Sequence, residues 1–214
     1  MEVSNRKFHF IAIGGVGMSG LAKYLLQQGH DVSGSDMNDS KYITQLRELG
    51  ATVFIGHSSE NVPIDATVIV SSAIRETNPE LKFAKENGLT VLHRSDLLAE
   101  IANNTNKSFI GFAGTHGKTT TSGMSSYVLS KAGLEPSFVV GGIIPEYSTN
   151  AKFSPILLIL CESSEITTGI WCFFISSNIQ QQGNASPNFN IPLVFISTGV
   201  LVTDNVSISF ILSV

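Results

Sequence analysis

The chain has 214 residues, 43% of them apolar and 14% charged, with a formal net charge of −4. A mildly acidic chain lacks the polybasic footprint that nucleic acid or an anionic membrane surface demands, and no stretch reaches the roughly 18–20 apolar residues of a membrane span. Two cysteines, Cys161 and Cys172, make no disulfide framework, and the polar N-terminal residues lack the apolar core of a signal peptide, so the expected compartment is a reducing cytoplasm.

The apolar run over 8–13 ends in glycines and predicts a buried parallel strand. Met18, Leu21, Ala22, Leu25 and Leu26 share one face of a helix over 18–28, which Gly29 stops. A short strand over 31–35 ends at Asp36, and a helix over 41–49 is closed by Gly50. Strands over 52–55 and 67–70 precede a helix over 78–87, with Pro79 in its first turn and Gly88 beyond it. A strand over 90–92 and a helix over 96–102 complete the series. This alternation means parallel strands with crossover helices: an α/β, Rossmann-like, doubly wound sheet.

Asn103 to Asn106 is a polar break and reads as a linker. The cycle then restarts with a strand over 108–113, a glycine loop, a helix over 119–131 ended by Gly133, and a strand over 138–140 before Gly141-Gly142. A further strand fits 156–160. Beyond it lie apolar runs at 171–175 and 193–196 without clear alternation.

Gly15-Val16-Gly17-Met18-Ser19-Gly20 follows a strand and opens a helix. Glycines there permit a tight turn and close approach of a phosphate, and the helix N-terminus adds unpaired N–H donors and a positive dipole end. Asp36, ending the second strand, stands where an acid can hold ribose hydroxyls. The loop does not choose between a dinucleotide such as NAD and a diphosphate such as a UDP-sugar.

Gly114-Thr115-His116-Gly117-Lys118-Thr119-Thr120 is a second loop, between an apolar strand and a helix. Backbone amides from Gly114 to Lys118 can wrap a phosphate, Lys118 can reach the outer phosphates of ATP, and the Thr119 hydroxyl can ligate Mg2+. The strict phosphate-loop pattern wants Gly at position 112, where Phe stands; the shorter Gly-Thr-x-Gly-Lys-Thr is intact. A triphosphate loop argues against a purely NAD-linked oxidoreductase, which has no need of one.

Two such loops in this order resemble the Mur ligases of peptidoglycan synthesis. The residues that carry the resemblance are Gly14 to Ala22, Ser33 to Asp36, Val70 to Ile74 and Gly114 to Thr121. Within that family, Val16-Gly17-Met18-Ser19 sits nearer the member that joins L-alanine to UDP-N-acetylmuramate than the one that recycles murein tripeptide. The resemblance implies that ATP phosphorylates the lactyl carboxylate, that the amine of L-alanine attacks the acyl phosphate, and that Lys118 and Thr119 serve this step with Mg2+ on Thr119. It also implies that Gly15, Val16, Gly17, Met18 and Ser19 hold the UDP diphosphate, with Asp36, Ser72 and Arg75 as neighbours of the same ligand. His93 and Arg94, at a strand end, face that ligand or form a solvated pair.

The implied organisation is a UDP-sugar domain over 1–104 and the start of a phosphate-loop central domain over 105–167. The tail over 168–214 is expected to be foreign to the family. All 13 Lys and Arg lie at or before Lys152, and the family's acidic stretch after the loop has only Leu160-Cys161-Glu162-Ser163-Ser164-Glu165 as its nearest text. The expectation is a truncated ligase whose tail stems from a wrong reading frame or unrelated sequence. Its alternative behaviour is that of a non-catalytic UDP-sugar-binding module.

Overall fold

Five short strands build the first sheet of the computed structural model, which describes residues 6–103, 109–113, 116–154, 157–163, 172–176 and 193–194. They are β1 (Lys7–Ile11), β2 (Asp31–Asp36), β3 (Thr52–Ile55), β4 (Thr67–Val70) and β5 (Val91–His93), all parallel, in the order β3-β2-β1-β4-β5. Strand β1 alternates its side chains between two cores, as a strand buried on both faces must. Phe8 and Phe10 pack with Leu21 and Leu25 of α1 (Val16–Gln27) and with Ile43 and Leu46 of α2 (Lys41–Glu48). Ile11 packs on the opposite face with Val68, Val62, and Leu81 and Ala84 of α3 (Pro79–Glu86). Helix α4 (Arg94–Asn103) returns to the first face through Leu97. Sequence dictates the helix starts: Ser40 accepts from the Ile43 N–H, and Asn78 accepts from the Glu80 and Leu81 N–H groups just before Pro79.

The second sheet has the order β11-β10-β6-β9-β7-β8. Its parallel centre is β6 (Phe109–Ala113), β9 (Leu157–Ser163) and β7 (Pro136–Ile144), with α5 (Lys118–Lys131) crossing from β6 to β7. Antiparallel strands flank it: β8 (Thr149–Lys152) on β7, and β10 (Cys172–Ser176) on β6 with β11 (Leu193–Val194) beyond. The expected tail thus contributes its two described segments to the edge of this sheet.

The observed bounds differ from the expected ones at informative places. Helix α1 starts at Val16, not Met18, because the glycine loop itself forms the first turn. Helix α4 starts at Arg94 and runs through Asn103, into the expected linker, whose remaining residues lie outside the described ones. The strand expected over 138–140 runs from Pro136 to Ile144 across Gly141-Gly142, with an irregularity between Val139 and Ile144. It then turns through Pro145–Tyr147, with Ser148 at φ 51°, into β8, a strand that Thr149-Asn150 conceals by being polar.

Helix α1 is buried on every side from Met18 to Leu25. One side lies on the first sheet and the other on the β7–β8 hairpin of the second. A helix apolar over most of its circumference has to be covered twice, and here the two sheets do it. No helix among the described residues is long and apolar enough to cross a membrane.

Candidate functional site

In the first sheet the strand order reverses between β1 and β4. Open α/β sheets bind ligands outside the carboxyl ends of the strands at such a switch point. The turn after β1 sits there. Ala12 takes a left-handed φ of 64°, unusual for a residue with a Cβ, and the Gly15 N–H closes the turn on the Ala12 carbonyl at 3.3 Å. Gly15 is the N-cap of α1 and carries no side-chain cap. The N–H groups of the first helical turn therefore meet no side-chain cap among the described residues and suit an anion.

Asp36 is spent partly on the loop itself. Its Oδ2 accepts from the Gly14 N–H at 2.9 Å and its Oδ1 from the Asn38 N–H at 3.1 Å. A Cβ on Gly14 would come 2.8 Å from that Oδ2, so the glycine makes the clasp possible. Next to Asp36, Met37 is 62% exposed, and Ile55, the register partner of Asp36 on β3, is 50% exposed; together they form an apolar lip. Across the crevice, exposed Ser72 and Arg75 lie in the loop between β4 and α3.

Arg94 stands at the start of α4. A Cβ on Gly17 would lie 2.4 Å from its Nη1, so the guanidinium rests against the first turn of α1. Arg94 is half-buried, and its guanidinium has no hydrogen bond or ion pair among the described residues. A cation beside uncapped helix N–H groups is an arrangement suited to a phosphate. This separates it from His93, whose Nδ1 pairs locally with Ser95 Oγ at 2.7 Å.

A polar network lies under the crevice, on the α3 face. Buried Glu80 accepts from Ser35 Oγ at 2.5 Å, Asn61 Nδ2 at 2.8 Å and the Ser58 N–H at 3.2 Å. His57 Nδ1 lies 3.4 Å and His9 Nε2 3.6 Å from Glu80 Oε2. Burial pushes the Glu80 carboxyl up, but His9, Ser35 and Asn61 together outweigh it and leave the pKa below its ordinary value. The sequence reading missed this network, because its members come from β1, β2, the loop after β3 and α3.

The second loop joins β6 to α5. Gly117 is the N-cap with φ 75°, a conformation that glycine adopts without strain, and again carries no side-chain cap. Lys118 opens the helix half-buried, and His116, Thr119 and Thr120 are exposed. Gly114 and Thr115 lie outside the described residues. Phe112 is 3% exposed and belongs to the core of the second sheet, which is why this loop has no glycine there: the position is still strand. Ser122 Oγ donates to the Lys118 carbonyl at 2.8 Å, pinning the first turn. A Cβ on Gly142 would come 3.0 Å from Thr119 Cγ2, so β7 leaves room for this threonine only because residue 142 is glycine. The register sets Glu162 beside Phe112 and Ser163 beside Ala113, at the carboxyl end of the strand next to the loop.

A groove of about 300 Å³ opens beside the first sheet, lined by Lys7 and Asp31 at the starts of β1 and β2, by Thr52 and Phe54 of β3, and by Glu60 and Asn61 after it. No residue of either glycine loop lines it, so it is not assigned to the nucleotides.

Residues 7–106 match the Mur ligase family, catalytic domain. The UDP-N-acetylmuramate–L-alanine ligase of Hydrogenobaculum sp. (strain Y04AAS1) is 47% identical over 160 residues, which are 75% of this chain and 35% of that protein. The ligase of the same name from Synechococcus sp. (strain JA-2-3B'a(2-13)) is 52% identical over 145 residues, 68% of this chain and 30% of that protein. The crystal structure of the UDP-N-acetylmuramate-alanine ligase MurC from Thermotoga maritima superposes with a TM-score of 0.67 at 31% identity, covering 73% of this chain and 37% of that one. The UDP-N-acetylmuramate:L-alanyl-gamma-D-glutamyl-meso-diaminopimelate ligase from Neisseria meningitides also gives 0.67, at 29% identity, covering 76% of this chain and 53% of that one. The chain spans about a third of the length of the curated relatives it matches.

Proposed function

We propose, from the match of residues 7–106 to the Mur ligase family, that this chain carries the UDP-sugar and ATP loops of an ATP-dependent ligase acting in the cytoplasm. The reaction joins L-alanine to UDP-N-acetylmuramate. The observation that carries this reading is the pair of uncapped glycine loops, each at the carboxyl end of a parallel strand, on two sheets that share α1.

In this reading Gly15, Val16, Gly17, Met18 and Ser19 present backbone donors to the UDP diphosphate, and Arg94 supplies the cation beside them. Asp36 shapes the loop through Gly14 and keeps its remaining lone pairs for the ribose. Ser72 and Arg75 close the crevice from the β4 side. His116, Gly117, Lys118, Thr119 and Thr120, with Gly114 and Thr115 before them, would cradle ATP. Lys118 draws charge from the γ-phosphoryl group as it passes to the lactyl carboxylate and ADP leaves. The amine of L-alanine then attacks the acyl carbon, loses a proton, and phosphate departs. Bound Mg2+ would neutralise phosphate charge. The hard hydroxyl of Thr119, in the space kept by Gly142, fits it, and Glu162 at the neighbouring strand end is of the right chemistry. The proposed domains are 1–104 for the UDP-sugar and 105–167 for ATP, with 168–214 foreign to the family.

Ligation of a murein tripeptide in place of L-alanine is the second reading, favoured by the equal TM-score to the Neisseria enzyme. Calorimetry with UDP-N-acetylmuramate, ATP and NAD tests the site, and phosphate release with L-alanine or tripeptide tests the acceptor. Binding of UDP-N-acetylmuramate and ATP is expected. Binding of NAD without the UDP-sugar would overturn the assignment.

A further inference from the structure

Asn150 lies on β8 and is fully buried against the first turn of α1. Its Nδ2 donates to the Val16 carbonyl at 2.6 Å and lies 3.4 Å from Ser19 Oγ. Its Oδ1 accepts from Lys23 Nζ at 3.0 Å. The partners fix the orientation of the amide, since an ammonium only donates and a carbonyl only accepts. Lys23 is itself buried, and its second partner is another amide oxygen, Gln45 Oε1, at 2.6 Å. No carboxylate pairs with it among the described residues, and burial lowers its pKa.

The Val16 carbonyl and the Gly17 N–H belong to one peptide group. A donor held on the carbonyl polarises that group and strengthens the N–H as a donor to a phosphate. The third glycine of the loop serves the same contact. A Cβ on Gly20 would come 3.0 Å from Asn150 Nδ2 and 3.3 Å from Val139 Cγ1, so Gly20 is small to admit the hairpin of the other sheet. That hairpin also reaches the second loop, where Gly142 of β7 packs on Thr119. One hairpin therefore touches the first helical turn of both glycine loops.

We infer that Asn150 is a positioning residue for the diphosphate cradle, and that the β7–β8 hairpin couples occupancy of the two loops. A ligand that shifts Thr119 against Gly142 bears on the strand that holds Asn150 on Val16, and coupling of this kind is reciprocal. The inference rests on the nucleotide assignments proposed above and adds the link between them.

The test is calorimetry of UDP-N-acetylmuramate on the full chain, with and without a non-hydrolysable ATP analogue. Asn150→Asp keeps an acceptor for Lys23 and adds a counter-charge, but sets an oxygen against the Val16 carbonyl. We expect the wild-type affinity for the UDP-sugar to rise at least about fivefold with the analogue bound. Asn150→Asp should melt no lower than wild type, bind the UDP-sugar about tenfold more weakly, bind the analogue alone within twofold, and lose the coupling. Gly142→Ala, at the other end of the hairpin, should reduce the coupling while sparing the affinity for the UDP-sugar alone. Wild-type coupling retained in either variant, or absence of coupling in the wild type when both ligands bind, would overturn the inference alone. Failure of the wild type to bind either nucleotide would overturn the site assignment and the inference together.

Discussion

Gly17→Ala separates a binding effect from a folding effect. Residue 17 lies in the first turn of α1 with helical neighbours and no positive φ, so its backbone accepts alanine. Exchanging Gly for Ala in a helix favours folding by up to about 1 kcal/mol. The new Cβ would stand 2.4 Å from Arg94 Nη1. That atom is the far end of a flexible side chain, so the guanidinium swings away from the cradle at little cost to the fold. A charge-assisted hydrogen bond to phosphate contributes about 1.5–3 kcal/mol, so the affinity for UDP-N-acetylmuramate should fall roughly tenfold to a hundredfold. Melting temperature should hold or rise slightly. Arg94→Gln should weaken binding to the same degree, and the double variant should be no weaker than either single one, because both remove one interaction. Calorimetry and thermal melts measure both quantities. Unchanged affinity, or fully additive losses, would refute the assignment of Arg94 to the diphosphate.

Lys118→Ala should abolish detectable ATP-analogue binding while leaving the affinity for the UDP-sugar within twofold, read by calorimetry with each ligand alone. Gly34→Ala should unfold the first sheet more readily: its Cβ would meet the Phe10 carbonyl oxygen at 2.6 Å and Ile13 Cδ1 at 2.7 Å, an overpacking that costs about 1–3 kcal/mol, seen as a fall of several degrees in melting temperature. Glu80 should impose an acid limit on stability. Its folded-state pKa lies below the ordinary 4.5, so its contribution is complete above the unfolded value and is lost as pH falls through the folded one. Denaturation between pH 3 and 7 should show wild-type stability falling below about pH 4.5 more steeply than that of Glu80→Gln, and parallel curves would count against it.

The parts of this fold that were legible in the sequence are those with local causes. The run over 8–13, the periodic face of α1 and the Asn78-Pro79 start of α3 each carry their signal within a few residues, and the structure follows them except that β1 ends at Ile11, where the turn through Ala12 begins. The glycine loops were legible for the same reason, since a turn, a strand before it and a helix after it are all local. Strand β8 was not, because Thr149 and Asn150 are polar, and Asn150 buries its polarity against α1, which lies far off in the chain. Arg94 looked equivalent to His93 until α4 turned its guanidinium toward Gly17. Glu80 carried only the mark of a first-turn acid, and what buries it comes from three other segments.

Helix α1 shows why the two loops are hard to read as independent modules. A helix closing a Rossmann-like unit normally turns a polar face to water, and α1 has none between Met18 and Leu25. Its outer side meets Val139, Asn150 and Ala151 of the second sheet, with Tyr24 edge-on to Phe153. The Tyr24 phenol, pushed up to about 12 by burial, stays neutral there, and the Gln27 side chain accepts from the Phe153 N–H at 2.6 Å. The first turn of this helix is the proposed phosphate cradle, so the surface that seats the second sheet and the surface proposed to seat the UDP diphosphate are two sides of one short segment. A substitution that loosens Asn150 from the Val16 carbonyl therefore bears on the proposed cradle. That makes the hairpin the place where the coupling between the two proposed nucleotide sites can be altered without removing a group that would touch either ligand.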